Sequence, residues 1–360
     1  VALTVVGPEA PLCDGIVDAF EQQGLPIFGP REKAARLEGS KSFAKQIMNA
    51  AGVPTASHKV FDRMGPAIEY LMDAPHPIVI KADGLAGGKG VIISEDVETS
   101  DETIRNYMDD GKFGEASQRV VVEEHLEGTE MSFMVVTDGE NVGPLSTSQD
   151  HKRVGEGGTG PNTGGMGAFT PSHRATPELE ETLIDEVIEP TLAELRKRDI
   201  VYRGFLYAGL MLTEDGPRVL EFNCRLGDPE TQALLFAMDR DLGDVLTKAA
   251  SGKLDGSEDL RTDNAACCIV LASRGYPGPR DTGFVIQGLD EAADVPETKV
   301  FHAGTRRDER GQFLTAGGRV LGVTARGGGL LEARDHAYKA ASKINWEGMH
   351  YRSDIGEDID

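Results

Sequence analysis

The stretch that most constrains the fold is residues 219–232, which read Val-Leu-Glu-Phe-Asn-Cys-Arg-Leu-Gly-Asp-Pro-Glu-Thr-Gln. Its first five residues predict a short β-strand that opens into a charged loop. Because alternate residues of a strand share a face, Glu221 and Asn223 point the same way, whereas Leu220 and Phe222 face the core. A carboxylate and an amide oxygen side by side suit a hard cation such as Mg²⁺, which also binds substrate phosphates. The alternative is an exposed Glu-x-Asn pair on an edge strand.

A glycine-rich segment upstream offers groups that can bind phosphate. Residues 77–93 predict a strand carrying Lys81, a loop with Gly87, Gly88 and Lys89, and a second strand. Glycine lets the backbone amides of such a loop close over phosphates. A P-loop is excluded, because the Gly-x4-Gly-Lys-Ser/Thr spacing is absent and a β-branched run follows Lys89 where a P-loop has a helix. The segment therefore predicts a hairpin lid, with an ordinary flexible turn as the alternative.

These segments resemble the ATP-grasp ligases in order and spacing. The similarity rests on Lys41, Lys81, the lid at residues 84–90, the stretch at residues 121–126 and the Glu221-x-Asn223 pair. More narrowly, the stretches at residues 149–154, 160–167 and 221–232 resemble the phosphoribosylamine–glycine ligase family, also called glycinamide ribonucleotide synthetases. The resemblance runs from Val6 to about Gly356.

The resemblance implies a particular reaction. It is the ATP-dependent ligation of glycine to 5-phosphoribosylamine in de novo purine synthesis, through a glycyl phosphate intermediate, with ATP and Mg²⁺ or Mn²⁺ as cofactors. Two alternatives stay open: another ATP-grasp carboxylate-activating ligase of purine synthesis, and a nucleotide-binding module that no longer turns over. The first would share Lys41, Lys81 and Glu221-x-Asn223. It would lack Asp-His-Lys-Arg at residues 150–153 and Gly-Gly-Met-Gly at residues 164–167.

The resemblance, taken together with the chemistry of each side chain, also implies roles for particular residues. Catalytic roles in charge neutralisation or in holding an amine are expected of Lys81, Lys89, Arg225 and Asp150. Contacts with the nucleotide are expected of Lys41, Lys81, Gly87, Gly88, Lys89, Glu123, Glu124, Leu126 and Glu130. Contacts with the other substrates are expected of Glu9, Asp150, Lys152, Arg153, Gly164, Gly165, Met166, Arg225, Asp228, Glu230 and Thr231. The metal is expected at Glu221 and Asn223.

The order of predicted strands and helices indicates an α/β and α+β protein, and the resemblance implies the ATP-grasp fold. At 360 residues the chain exceeds the size at which a single core stops growing. Four parts are predicted: a partial N-terminal doubly wound parallel-sheet domain (1–38), an ATP-grasp main domain (39–57 and 128–260), a lid domain (58–127) and a small C-terminal α+β capping domain (261–360). The glycine-rich residues 146–169 predict one long functional loop.

Local signals place Lys41 in the first turn of a helix. Ser40 reads as the N-cap and Gly52 as the stop before a proline. The strand predicted at residues 3–6 matches a later strand of the family's first sheet. We therefore expect an upstream strand and a glycine-rich loop to cover it and to bind the phosphate of phosphoribosylamine.

The composition of the chain limits the classes of molecule that the protein is expected to bind. The formal net charge of −23 argues against nucleic acid, because no basic stripe is available to displace counterions. The basic residues of the motifs can still create local positive potential for anionic small molecules. No membrane span or signal segment is predicted, so a cytoplasmic location is expected. The 4 cysteines include no C-x-x-C pair and are expected to be free thiols, and the protein is expected to be a monomer. The acidic, lysine-poor composition is typical of proteins from high-salt cytoplasm, with a merely acidic mesophile as the alternative.

Overall fold

The computed structural model describes residues 1–357, which fall into two compact units. Unit 1 comprises Val1–Pro144, Thr176–Leu226 and Asp241–Asp259. Unit 2 comprises Leu145–Ala175, Gly227–Arg240 and the chain from Leu260 onward. Helices and sheets occur in both units, which confirms the predicted mixed class.

The chain begins in unit 1 with a two-stranded parallel sheet and four helices. The elements are β1 (Thr4–Val5), α1 (Glu9–Cys13), α2 (Ile16–Gln22), β2 (Ile27–Phe28), α3 (Glu32–Gly39) and α4 (Lys41–Ala51). The sequence did not predict α1 or α3, and Val5 of the first strand is 45% exposed. The predicted caps of α4 are confirmed: Ser40 Oγ accepts the Phe43 N–H, and Gly52 ends the helix at φ 73°.

A four-stranded antiparallel sheet with two helices follows, still in unit 1. Its elements are β3 (His58–Phe61), α5 (Met64–Leu71), β4 (Ile78–Ala82), β5 (Val91–Ser94), α6 (Val97–Met108) and β6 (Val120–Glu124). The strand order β3-β6-β4-β5 confirms the predicted hairpin of β4 and β5. Helices and strands share one apolar core that includes Leu71, Ile80 and Tyr107. Lys81 therefore lies on an inner strand that packs against this apolar core.

The next strands lead from unit 1 into unit 2. They are β7 (Thr129–Thr137) and β8 (Val142–Pro144) in unit 1, then β9 (Gln149–Asp150), β10 (Arg153–Gly155), β11 (Thr159–Asn162) and β12 (Gly167–Thr170) in unit 2. The prediction of one long loop over residues 146–169 is wrong, because β10 pairs with β11 and β9 pairs with β12. Strands this short are not recognisable from an alternation of apolar and polar residues in the sequence. The turn of the β10–β11 hairpin uses Gly157 and Gly158 at positive φ, a conformation that glycine adopts freely.

A long helical segment follows in unit 1, and after it two long strands complete the main sheet of that unit. The segment consists of α7 (Pro177–Leu183), a π-helical turn (Ile184–Ile188) and α8 (Glu189–Lys197), followed by β13 (Gly204–Thr213) and β14 (Gly216–Asn223). Leu183, Val187, Ile188 and Leu192 recur at helical spacing and are buried. The sheet order is β14-β13-β7-β8, which leaves β14 at its edge.

The remaining helices and strands belong to unit 2, apart from one helix. The elements are α9 (Glu230–Ala237), α10 (Leu242–Ala250, in unit 1), β15 (Ala265–Ala272), α11 (Leu289–Ala293), β16 (Thr298–His302), β17 (Thr305–Arg307), β18 (Phe313–Thr315), β19 (Arg319–Gly327) and α12 (Leu330–Ala341). A five-stranded sheet of order β16-β19-β15-β12-β9 forms the centre. Next to Phe284, Val285 makes an isolated bridge to Leu314.

Two expectations from composition can be compared with the described residues. All four cysteines are free, as predicted, and Cys267 and Cys268 are buried on β15. Within residues 1–357, none of the helices combines the length and the apolar character that crossing a membrane requires.

Candidate active site

The edge strand β14 carries the two predicted metal ligands next to a β-bulge. Glu221 pairs with Gly209 and Val219 pairs with Leu210, so Leu220 is the extra residue that the ladder skips. The prediction that Leu220 faces the core is therefore wrong, and Val219 takes that place. Glu221 and Asn223 lie beyond the bulge, two residues apart and both half-buried, so they share a face as predicted.

The donor set on β14 fits a hard cation that keeps coordination positions for other ligands. It offers one carboxylate, from Glu221, and one amide oxygen, from Asn223. Within residues 1–357, no group of three or more His, Cys, Asp or Glu side chains could hold a metal ion. Mg²⁺ is commonly bound by one or two protein oxygens together with waters and substrate phosphates, so this sparse set suits it.

Lys81 is buried beside the bulge and is held at two points. Its Nζ lies 2.9 Å from Glu123 Oε2 and donates to the carbonyl oxygen of Leu220 at 3.1 Å. An ammonium group has three N–H donors. The partners among the described residues therefore engage two donors and leave one for a ligand.

Lys41 lies close to Lys81 and Glu221, in the first turn of α4. Its backbone N–H donates to Asp83 O at 2.9 Å, and its Nζ donates to Gly84 O at 3.4 Å. Burial lowers the pKa of the Lys41 ammonium; the Glu221 carboxylate opposes that shift, and the Lys81 ammonium adds to it. The fold thus brings three charged groups that are far apart in the sequence within electrostatic reach.

The glycine-rich turn between β4 and β5 is exposed. Gly87 and Gly88 have φ values of 56° and 73°, and Lys89 is exposed, with its backbone N–H bonded to Ala86 O at 3.0 Å. Such a turn leaves the Lys89 side chain able to reach a ligand. These are the features expected of a lid tip.

The nucleotide contacts predicted at and after the end of β6 differ in burial. Glu123 is buried, and its carboxylate lies between Lys45 and Lys81, at 3.1 and 2.9 Å. Glu124 is exposed and accepts the Ser57 N–H at 2.7 Å. Leu126 is half-buried just beyond the strand, and Glu130 is exposed near the start of β7. The side chain of Glu123 therefore orders the lysines.

Arg225 is held by two carboxylates of unit 1. Its Nε lies 3.2 Å from Glu9 Oε2, and its Nη2 lies 2.9 Å from Glu38 Oε1. Glu38 Oε2 also accepts the Cys224 N–H at 2.8 Å. Burial raises the pKa of Glu38 to about 7, against the opposing effect of Arg225. Sequence reasoning missed Glu38, because it lies 186 residues from Cys224, on a helix that was not predicted.

The other predicted substrate residues lie in unit 2, where Gly165 brings two of the segments together. Gly165 has a φ of 105°, and a Cβ added there would lie 2.4 Å from Pro229 Cδ and 2.6 Å from Asp150 Oδ1. Glycine is therefore required at this position, both for its conformation and for the close approach. Asp150 is thereby placed against the Gly-Gly-Met-Gly stretch and the residue that precedes α9. Met166 is completely buried.

Arg319, at the start of β19, ties the same two loops together. Its Nη1 donates to Gly164 O at 2.5 Å and to Asp228 O at 2.6 Å, and its Nη2 donates to Asp228 Oδ2 at 2.7 Å. The Tyr276 hydroxyl accepts the Gly164 N–H at 3.0 Å. Neither Arg319 nor Tyr276 was identified from the sequence, because Arg319 lies 155 residues from Gly164 and 91 from Asp228.

At the N-terminus of α9, Glu230 is buried, with its carboxylate packed against Gly227, and the Thr231 N–H donates to Gly227 O at 2.9 Å. Arg153 reaches across its own hairpin to Gly160 O at 2.8 Å. Lys152 contributes its carbonyl oxygen to Thr163 N–H at 2.7 Å. The structure thus gathers the predicted residues of unit 2 around the β9–β12 region and the start of α9.

A half-buried lysine on α4, a hairpin that carries the buried Lys81 and a Glu-x-Asn strand follow one another in the chain, as in the ATP-grasp class. The fold is similar to the biotin carboxylase domain of 2-oxoglutarate carboxylase from Hydrogenobacter thermophilus, solved in complex with MgADP. The TM-score is 0.75 at 19% identity, over 97% of this chain and 76% of that one. At this identity the similarity concerns the fold alone.

Within that class, the chain belongs to the phosphoribosylglycinamide synthetase family. The family's N domain matches residues 1–38, its ATP-grasp (A) domain residues 39–231 and its C domain residues 266–358. A phosphoribosylamine–glycine ligase of Vibrio parahaemolyticus is 49% identical over 99% of this chain and 83% of its own length. The crystal structure of phosphoribosylamine–glycine ligase from Thermotoga maritima matches with a TM-score of 0.82 at 38% identity, over 92% of this chain and 82% of that one.

These similarities confirm three predictions made from the sequence: the family, the ATP-grasp fold and the assignment to the ATP-dependent ligases of purine synthesis. The chemical roles of single residues are a separate question.

Proposed function

We propose that this protein joins the carboxylate of glycine to the amine of 5-phosphoribosylamine, with ATP converted to ADP and phosphate. The single observation that carries the proposal is the cluster of Lys41, Lys81 and Glu221 beside the bulge at Leu220. It combines two cations for phosphate with a carboxylate for a divalent cation. The names of the relatives support glycine and phosphoribosylamine as the substrates.

The chemistry follows from the weakness of a carboxylate as an electrophile. Transfer of the γ-phosphoryl group of ATP to glycine would give glycyl phosphate, which the amine attacks with loss of phosphate. Such a reaction is catalysed by positioning and by neutralisation of charge. Lys41, Lys81 and Lys89 are proposed to bind the phosphates, and closure of the exposed turn at Gly87 and Gly88 is proposed to exclude water from the acyl phosphate.

Glu221 and Asn223 are proposed to hold Mg²⁺ or Mn²⁺, which when bound supplies further positive charge at the phosphates. Contacts with the adenosine part of ATP are proposed for Glu124, Leu126 and Glu130. Arg225 is proposed to act on developing negative charge, with Glu9 as a ribose contact. Contacts with the remaining substrate groups are proposed for Asp150, Lys152, Arg153, Gly164, Gly165, Met166, Asp228, Glu230 and Thr231.

The test is phosphate release from ATP with purified protein, Mg²⁺, glycine and freshly generated phosphoribosylamine, with the product identified by mass. Omission of glycine or phosphoribosylamine should stop product formation, and no other amino acid should replace glycine. A product that forms with a different carboxylate and amine would favour another ATP-grasp ligase of purine synthesis. Nucleotide binding without turnover would favour a regulatory module. The monomeric state and the cytoplasmic location are also proposals, to be tested by light scattering and by cell fractionation.

A further inference from the structure

A second lysine of α4, Lys45, lies buried behind the predicted phosphate-binding residues. Only 2% of its surface is exposed. Its Nζ lies 3.1 Å from Glu123 Oε1 and donates to Thr55 Oγ1 at 2.7 Å. None of the motifs assigns it a role.

Lys45 shares the carboxylate of Glu123 with Lys81. One oxygen of Glu123 faces Lys45, and the other lies 2.9 Å from Lys81 Nζ. A single buried carboxylate thus serves two ammonium groups. Burial lowers the pKa of Lys45 to about 8, and Glu123 opposes the shift.

The same network holds the backbone of the bulge that precedes Glu221. Thr55 Oγ1, which accepts from Lys45, donates to Val219 O at 2.6 Å. Lys81 donates to the next carbonyl oxygen, that of Leu220, at 3.1 Å. Two consecutive carbonyl groups of β14 are therefore fixed by side chains that Lys45 links, directly through Thr55 and indirectly through Glu123.

Stability alone is a weak explanation for such an arrangement. Replacing a buried ion pair by well-packed apolar residues is often neutral or stabilising, because desolvation of the charges offsets their attraction. Dividing one carboxylate between two lysines has a different consequence. Without Lys45, both oxygens of Glu123 become available to Lys81, and its ammonium group can turn away from Leu220 and from a ligand.

We propose that Lys45 is a positioning residue: by dividing Glu123 and holding Thr55, it fixes both the ammonium group of Lys81 and the bulge before Glu221. The proposal rests on the phosphate-binding role proposed for Lys81. Lys45 itself has no contact with substrate in this scheme and acts through Lys81 and the backbone of β14.

The decisive experiment is a double-mutant cycle of Lys45→Met and Lys81→Met, with kcat/KM for ATP as the readout and with Lys33→Met, an exposed position on α3, as the matched control. Lys45→Met should lower kcat/KM for ATP on the order of 100-fold, the loss typical of a misplacement of about 1 Å. It should leave KM for glycine unchanged, and it should cause a much smaller loss when Lys81 is already Met, because only the effect through Thr55 and the bulge then remains. Losses that multiply, or unchanged kinetics in a folded Lys45→Met protein, would overturn the proposal.

Binding of ADP without a divalent cation, measured by calorimetry, gives a second readout that does not depend on turnover. If Lys45→Met alone does not fold, the Lys45→Met/Glu123→Gln protein, which lacks both buried charges, is compared with Glu123→Gln in ADP affinity. Weaker binding by the double variant than by Glu123→Gln supports the proposal, and equal binding overturns it. If the wild-type protein is inactive but the effects of Lys45→Met and Lys81→Met on ADP affinity are still coupled, the proposed reaction is refuted. The positioning role of Lys45 is then still supported.

Discussion

The ammonium group of Lys81 donates a hydrogen bond to the carbonyl oxygen of Leu220 at 3.1 Å, although the two residues lie 139 positions apart. Leu220 is the bulge residue of β14, and a bulge re-aims the residues beside it. The contact therefore joins the strand that carries the principal lysine to the strand that carries Glu221 and Asn223. A shift of one of these strands would therefore displace the side chains on the other.

The first prediction concerns Glu221, the only carboxylate that the proposed metal strand offers. Glu221→Gln keeps the size of the side chain but removes its charge, so the fold should persist while kcat falls by about 10³-fold, a loss of several kcal/mol of charge stabilisation. Steady-state kinetics and thermal unfolding measure the two effects. Glu214→Gln, at an exposed position, is the control and should behave as wild type. Near-normal turnover in a folded Glu221→Gln protein would contradict the assigned role.

A second prediction concerns Glu38 and the pH dependence of stability. Its ordinary pKa of 4.5 is raised to about 7 by burial, so the folded protein keeps this proton where the unfolded chain has lost it. The stability from this group is complete below pH 4.5 and is lost as the pH rises through about 7. Glu38→Gln does not titrate. The stability difference between variant and wild type should therefore move in favour of the variant by up to about 3 kcal/mol over that range.

Chemical denaturation at several pH values, without divalent cations, measures this difference. The other titratable groups are present in both proteins, so their contributions to the pH dependence cancel in this difference. Glu32→Gln, an exposed change on the same helix, is the matched control. A stability difference for Glu38→Gln that stays constant with pH would show that folding does not shift the pKa of this carboxyl group.

Sequence reasoning succeeded where the signal is local. The cap at Ser40, the stop at Gly52 and the β4–β5 hairpin each follow from a few adjacent residues, and all three are present. The alternation of Glu221 and Asn223 also survives, because both residues lie on the same side of the bulge.

The remaining features depend on partners that are distant in the sequence. Nothing in residues 219–223 predicts the bulge at Leu220, because its carbonyl partner is Lys81 on another sheet. Lys45 reads as an ordinary helix lysine, and Arg319 as an ordinary strand arginine, until the fold supplies Glu123 and Asp228. Burial and pairing of charge are tertiary properties, so residues that act through others are the ones that motif reading misses.

The third prediction concerns Arg319, which holds Gly164 and Asp228 through three hydrogen bonds. Arg319→Lys keeps the charge but lacks the planar fork that reaches several acceptors at once. The loops that carry the proposed substrate residues should loosen. We expect kcat/KM for glycine and phosphoribosylamine to fall on the order of 100-fold, with little change in ADP affinity. Kinetics and calorimetry separate the two effects, and Arg306→Lys on exposed β17 is the control. An equal loss of ADP affinity would contradict a role confined to these loops.

The last prediction concerns salt. A net charge of −23 on 360 residues, with 60 acidic side chains, places many like charges on one surface. Their repulsion destabilises the folded state, and the Debye length falls from about 10 Å at 0.1 M to about 3 Å at 1 M salt. The melting temperature and the activity should therefore rise as KCl increases from low to molar concentration at neutral pH. The same series near pH 4.8, the isoelectric point, supplies the control for melting, because there the net repulsion is removed and salt should have little effect. A flat or falling response at neutral pH would show that the acidic surface is no adaptation to a high-salt cytoplasm.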